Sequence, residues 1–123
     1  MKRLLFVFTF LLTCIVSWAD ILGPFPVSET NTDDYPGYAR MVVTGQTDAR
    51  VCIQSVENPS EVYIICQGLI TDSLGRSVPT AYFFEPGSYK VIMKDCSTFW
   101  YMAHELNEGD VFTVVGTGYL SMS

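Results

Sequence analysis

"FFEPGSYKVIMKD", residues 83–95, sets a Pro-Gly step between an aromatic run and a stretch that alternates polar with apolar side chains. Proline presets φ at about −65° and glycine accepts a positive φ, so Pro86-Gly87 reads as the centre of a type II turn and a hairpin corner. After it, period-two alternation assigns Tyr89, Val91 and Met93 to one face of a strand and Lys90, Ile92 and Lys94 to the other. Such a strand lays one face on a core and leaves the other mostly wetted.

The same grammar runs outward in both directions. From Tyr38 onward, β-branched and aromatic runs recur between turn signals, the pattern of a sandwich or barrel. Strands are expected over 38–44, 50–56, 61–67, 78–84, 88–94, 99–105 and 111–116, with turns at Asn58-Pro59-Ser60, Asp72 to Gly75 and Asn107 to Asp110. No stretch has helical period with a capping residue. The expected fold is therefore all-β, an immunoglobulin-like antiparallel β-sandwich of about seven strands over 38–123. Residues 20–37 read as an irregular lead-in, because Pro24, Pro26 and Pro36 interrupt any ladder and 28–34 is uniformly polar. Within it Asp33-Asp34 reads as a solvated turn, since the alternating oxygen spacing of a calcium loop is missing.

The amino terminus carries an address. Lys2 and Arg3 precede an apolar-rich run over 4–16 and then Ser17-Trp18-Ala19, the three parts of a secretory signal with cleavage after Ala19. As a helix that run spans about 20 Å, short of the roughly 30 Å bilayer core, so no stable membrane anchor is expected. The expectation is a secreted or periplasmic protein whose mature chain, 20–123, makes one domain. Without Lys2 and Arg3, the seven Lys and Arg fall to five against thirteen Asp and Glu, a formal net charge of −8. That balance excludes nucleic acid and anionic lipid as expected partners, since both are bound mainly through cationic side chains.

Cleavage leaves Cys52, Cys66 and Cys96. An exported chain favours a disulfide, and an odd count leaves one thiol for burial or for a disulfide-linked dimer. Cys52 and Cys66 lie symmetrically about Pro59, so a hairpin centred there would bring them opposite each other within bridging reach. Cys66 with Cys96 is the alternative pairing. No zinc-type spacing occurs, there is one histidine, and neither metal nor cofactor is expected.

Few residues carry a chemical signal. His104 beside Glu105 suggests acid-base work, yet neighbours on a strand face opposite ways, and no nucleophile elbow or phosphate loop is present. No catalytic residue is expected, and a small exported hydrolase or carbohydrate-active protein using His104 is the alternative. Phe99-Trp100-Tyr101 is the expected binding element. On a strand either Trp100 or its two neighbours must face outward, and exposed aromatics grip protein or glycan partners.

The second half also resembles a family. "FFEPGSYKVIMKD" followed by "HELNEGDVFTVVGTG" is similar to a secreted bacterial repeat, a domain of unknown function with the pattern P-A-G-x-Y-x-V-x-V, a variable hairpin, then L-x-x-G-x-x-Y-T-V-V-x-x-G. Pro86, Gly87, Tyr89, Val91, Leu106, Gly109, Phe112, Thr113, Val114, Val115 and Gly118 fall on its positions. Ala49-Arg50-Val51, Pro59 and 62–68 echo its opening, while Gln54 or Ser55 stands where the family tends to have histidine. The resemblance covers 49–118 and implies an extracellular or periplasmic β-sandwich with no established activity.

Overall fold

The computed structural model describes residues 19–45, 48–66 and 68–123. The expected signal segment lies outside the described residues, apart from Ala19 at the expected cleavage site. Two β-sheets face each other across one core. Strands β1 (Ile21–Pro26), β2 (Ala39–Gly45), β5 (Leu69–Thr71), β6 (Ser77–Phe84), β8 (Phe99–Tyr101), β9 (His104–Leu106) and β11 (Gly118–Met122) form the larger sheet in the order β1-β6-β2-β11-β8-β9, with β5 also pairing β6. Strands β3 (Arg50–Ser55), β4 (Val62–Cys66), β7 (Gly87–Asp95) and β10 (Val111–Val114) form the smaller sheet, ordered β10-β7-β3-β4. The all-β sandwich is thus present, and every expected strand has a counterpart.

Three further strands, and a split in one expected strand, raise the expected seven to eleven among the described residues. The run over 99–105 breaks into β8 and β9 at Met102, which turns with φ at 56°. Strand β11 pairs β2 in parallel, placing Gly118 opposite Met41 and Met122 opposite Gly45, while the other strand pairs are antiparallel. The lead-in is not wholly irregular. Its first part is edge strand β1, where prolines are tolerated because one side of the strand needs no ladder donors.

The core fills by alternation. Met41 and Val43 from β2, Phe84 from β6, Phe99 from β8, and Leu120 and Met122 from β11 meet Val51, Ile53, Ile65, Tyr89, Val91 and Phe112 from the smaller sheet. Phe112 touches the rings of Tyr89, Phe99 and Tyr101 at centroid distances of 6.0, 6.2 and 5.2 Å. These residues hold the layers together, since burying each large apolar side chain stabilises the fold by about 1.5–3 kcal/mol.

Strand β6 is buried on both faces. Tyr82 and Phe84 point inward, whereas Phe83 points outward and is still fully covered. Its cover comes from the lead-in: Tyr35 and Phe25 pack edge-on against it with centroids at 4.9 and 5.9 Å. A 3-10 turn, Val27–Glu29, is pinned where Ser28 Oγ donates to Asp72 Oδ2 at 2.7 Å. Arg40 reaches out from β2 to Thr30 Oγ1 at 2.7 Å and the Val27 carbonyl at 3.3 Å. Asp72 heads the expected 72–75 turn, accepting from Leu74 and Arg76 N–H groups at 3.0 and 2.9 Å. Asp34 likewise closes a turn, accepting the Asn31 N–H at 2.9 Å.

Two expectations about the opening stretch are corrected. Pro86-Gly87 is not a hairpin corner, because β6 and β7 belong to different sheets and the step carries the chain across the sandwich. Gly87 has φ at 158°, nearly extended rather than the roughly +80° of a type II turn. A Cβ there would lie 2.9 Å from Glu57 Oε1, the movable end of a side chain that accepts the Ser88 N–H at 3.1 Å, so a larger residue would displace that carboxylate. The alternation beyond it also changes phase. Cys52 pairs with Met93 while Ile53 pairs with Val91, so Ile92 is an extra residue in β7. That bulge turns Met93 outward and puts Lys94 opposite inward-facing Val51.

Candidate functional site

The outer face of the smaller sheet is built by the same alternation. With Val51, Ile53 and Ser55 turned to the core, Arg50, Cys52 and Gln54 face outward from β3. Val62, Ile64 and Cys66 face outward from β4, and Val111 and Thr113 from β10. The bulge adds Ile92 and Met93. The result is an apolar surface on which Ile64 is 62 % exposed and Met93 57 % exposed, with Val62 and Val111 about half exposed.

Over the first half of β3, between β4 and β7, lies a groove of about 330 Å³, lined by Arg50, Val51, Cys52, Ile64, Met93, Lys94 and Asp95. Cys52 is opposite Ile64 on one side and Met93 on the other, so its thiol forms the floor between two flexible apolar walls. One end is closed by Arg50, which donates from Nη2 to Asp95 Oδ2 at 2.6 Å. Both ends of that ion pair are solvent-exposed, so it contributes little stability but offers a partner a donor and an acceptor side by side. Exposed apolar side chains around a methionine wall, rimmed by charge, suit an apolar side chain of another protein.

The sequence marked a different element, and the structure separates its three residues. Phe99 is in the core, Tyr101 is half-buried against Phe112, and Trp100 alone faces outward from the larger sheet at 37 % exposure. On that face Tyr119 and Met102 are also exposed, and Met102 Sδ accepts the Tyr119 N–H at 3.3 Å. His104 is exposed on β9, while Glu105 lies opposite Trp100.

The cysteine expectation is corrected by register. Strand β3 pairs β4 with Cys52 opposite Ile64 and Cys66 opposite Arg50, so the hairpin is centred on Asn58 and not Pro59. The two cysteines share a face but sit on a diagonal, about 7–8 Å apart at Cα, beyond bridging reach. Cys52, Cys66 and Cys96 are all free thiols. Burial pushes the Cys96 thiol up. Among the described residues no three His, Cys, Asp or Glu side chains converge as metal ligands.

A second constellation gathers where β1 begins. The Asp20 N–H donates to Tyr63 Oη at 2.8 Å, and the Tyr63 hydroxyl donates in turn to Glu61 Oε1. Asp20 Oδ2 accepts from Asn58 Nδ2 at 3.2 Å, and the Asp20 carbonyl accepts the Glu85 N–H at 2.7 Å. Burial, reinforced by the bond to Glu61, raises the Tyr63 phenol well above its ordinary range. Burial likewise raises the neighbouring Tyr89, with the charges of Asp20 and Glu85 adding to it. No sequence signal marked this cluster, because its members come from the residue before β1, the β3–β4 turn, β4 and the β6–β7 step.

No family model, no curated protein and no solved structure matches the chain.

Proposed function

We propose that this chain is an exported, non-catalytic binding module that docks a protein partner on the outer face of its smaller sheet. The observation that carries the reading is the Cys52 groove between Ile64 and Met93, with the Arg50–Asp95 pair at its rim. Support also comes from the placement of His104 and Glu105, which point to opposite sides of a short edge strand and so do not form an acid-base pair. The motif residues shared with the secreted bacterial repeat are largely turn and core positions here, Tyr89, Val91, Phe112 and Val114 among them, and support a common scaffold.

The test uses the mature chain as bait in the native exported fraction, comparing wild type with Ile64→Asp/Met93→Asp and with Trp100→Ala. A partner held by wild type and Trp100→Ala but lost by the double variant, with circular dichroism unchanged, supports the groove. Loss with Trp100→Ala alone moves the binding face to the larger sheet. A capture that is reversed by reductant and absent from Cys52→Ser identifies a mixed disulfide or a disulfide-linked second copy instead.

A further inference from the structure

We infer that the mature chain's own amino terminus is a bound ligand: the ammonium created at Asp20 by cleavage after Ala19 is held in a preformed site built by Tyr63 and Glu61. The inference rests on the export reading, which supplies the protease. Hydrolysis of the Ala19–Asp20 peptide bond consumes one water, leaving a carboxylate on Ala19 and an ammonium on Asp20.

Geometry makes the case. In the uncut chain the Asp20 nitrogen is already ordered, 2.8 Å from Tyr63 Oη, and Asp20 is only 7 % exposed. Its carbonyl is fixed by the Glu85 N–H and its carboxylate by Asn58, so the residue stays seated when the preceding bond is cut. The bond lost is the one from Tyr38 Oη to the Ala19 carbonyl, at 2.8 Å. Four carboxylates, Asp20, Glu57, Glu61 and Glu85, gather around the site. Glu61 bonds Tyr63, Glu57 accepts the Ser88 N–H, and Asp20, Glu57 and Glu85 line a small cleft with Ser55, Asn58, Pro86 and Tyr89. The donors these bonds place on Asp20, Glu57 and Glu61 are neutral groups. An ammonium brings two further N–H donors and a positive charge to those carboxylates, and charge-assisted bonds to carboxylate are the strong kind. An amine so placed has its proton held more tightly, so its stabilising effect is present below the ordinary amine range and fades as pH rises through the raised value.

The experiment compares full mature chain 20–123 bearing a free Asp20 amine with its Nα-acetylated form and with Glu61→Gln and Tyr63→Phe. An α-amine ordinarily titrates at about 7.7–8.0, and nitrogen NMR of the folded chain is expected to place this one above about 9, about tenfold tighter. Glu61→Gln returns it most of the way. Acetylation lowers the melting temperature at pH 7, and the difference vanishes at pH 11. An ordinary titration in the folded wild type, or equal melting of the free and acetylated chains across that range, overturns the capture, and the second measurement holds even where Glu61→Gln fails to fold. Terminal sequencing of the natively exported protein separates the two levels. A start other than Asp20 removes cleavage after Ala19 and the proposal with it, while a start at Asp20 with ordinary titration removes the capture alone.

Discussion

Replacing Tyr35 by alanine tests whether the lead-in is part of the fold or lies passively over it. The Tyr35 ring meets Phe83 at 4.9 Å, Phe25 at 5.8 Å and Tyr38 at 6.3 Å, so one truncation removes three aromatic pairs. Each pair contributes about 0.5–1.5 kcal/mol beyond burial, and a half-buried ring adds about 1 kcal/mol of lost apolar cover, giving about 2–4 kcal/mol when the pairs are not independent. The loss is local. Residues 27–38 attach to the body mainly through this aromatic cluster, Ser28–Asp72, Glu29–Ser73 and Arg40, whereas β3, β7 and β10 belong to the other sheet. Hydrogen exchange is therefore expected to collapse at the amides of Thr30, Asp34 and Tyr38, which bond within the lead-in, while Val51 and Val91 keep their protection. A double-mutant cycle with Phe83→Leu should show coupling of about 1 kcal/mol. Strictly additive effects, or a cost below about 0.5 kcal/mol with exchange unchanged, would refute the idea that Phe83 is buried by the lead-in.

Other perturbations give sharper or simpler outcomes. Gly45→Ala should cost more than about 3 kcal/mol in denaturant unfolding, because a Cβ there would meet the Met122 carbonyl oxygen at 1.8 Å on a residue whose φ is +121°. The Ser28 hydroxyl first, then the Arg76 N–H, holds the Asp72 carboxyl down to about 2. Its stabilising effect is complete above the ordinary carboxylate range and lost as pH falls through about 2, so an acid titration followed by exchange at 27–38 should keep protection to near pH 2 in wild type. Asp72→Asn should abolish that dependence. In maleimide labelling of the folded chain, Cys96 should react slowest, since burial disfavours its thiolate.

The strand grammar was readable because turn chemistry is local. Asp72 to Gly75 and Asn107 to Asp110 turn as their residues demand, the latter with the Asp110 N–H on the Asn107 carbonyl at 3.0 Å. What could not be read was everything decided by a neighbour. Alternation fixed that Trp100 opposes Phe99 and Tyr101, yet only the pairing of β8 with β11 sets which of them meets the core. The hairpin centre moved by one residue, which was enough to place Ile64 where Cys66 was expected. Ile92 became the bulge because β3 has no residue to oppose it, and that event turned Met93 into a wall of the groove. Phe83 and Phe84 read as one aromatic run, and the doubled burial follows from a lead-in whose prolines and polar residues suggested no packing role.

The parallel pairing of β2 with β11 has a consequence for how the chain is made. Strand β11 is the seam of the larger sheet: without it, β2 and β8 each lose a neighbour, and the sheet parts into two pieces. Synthesis delivers β2 well before β11, so a nascent polypeptide must wait with an open edge flanked by Met41 and Val43 until that strand arrives. A chaperone that shields that edge during the delay, or a shorter delay, should govern the yield of folded protein more than any single contact in the finished molecule.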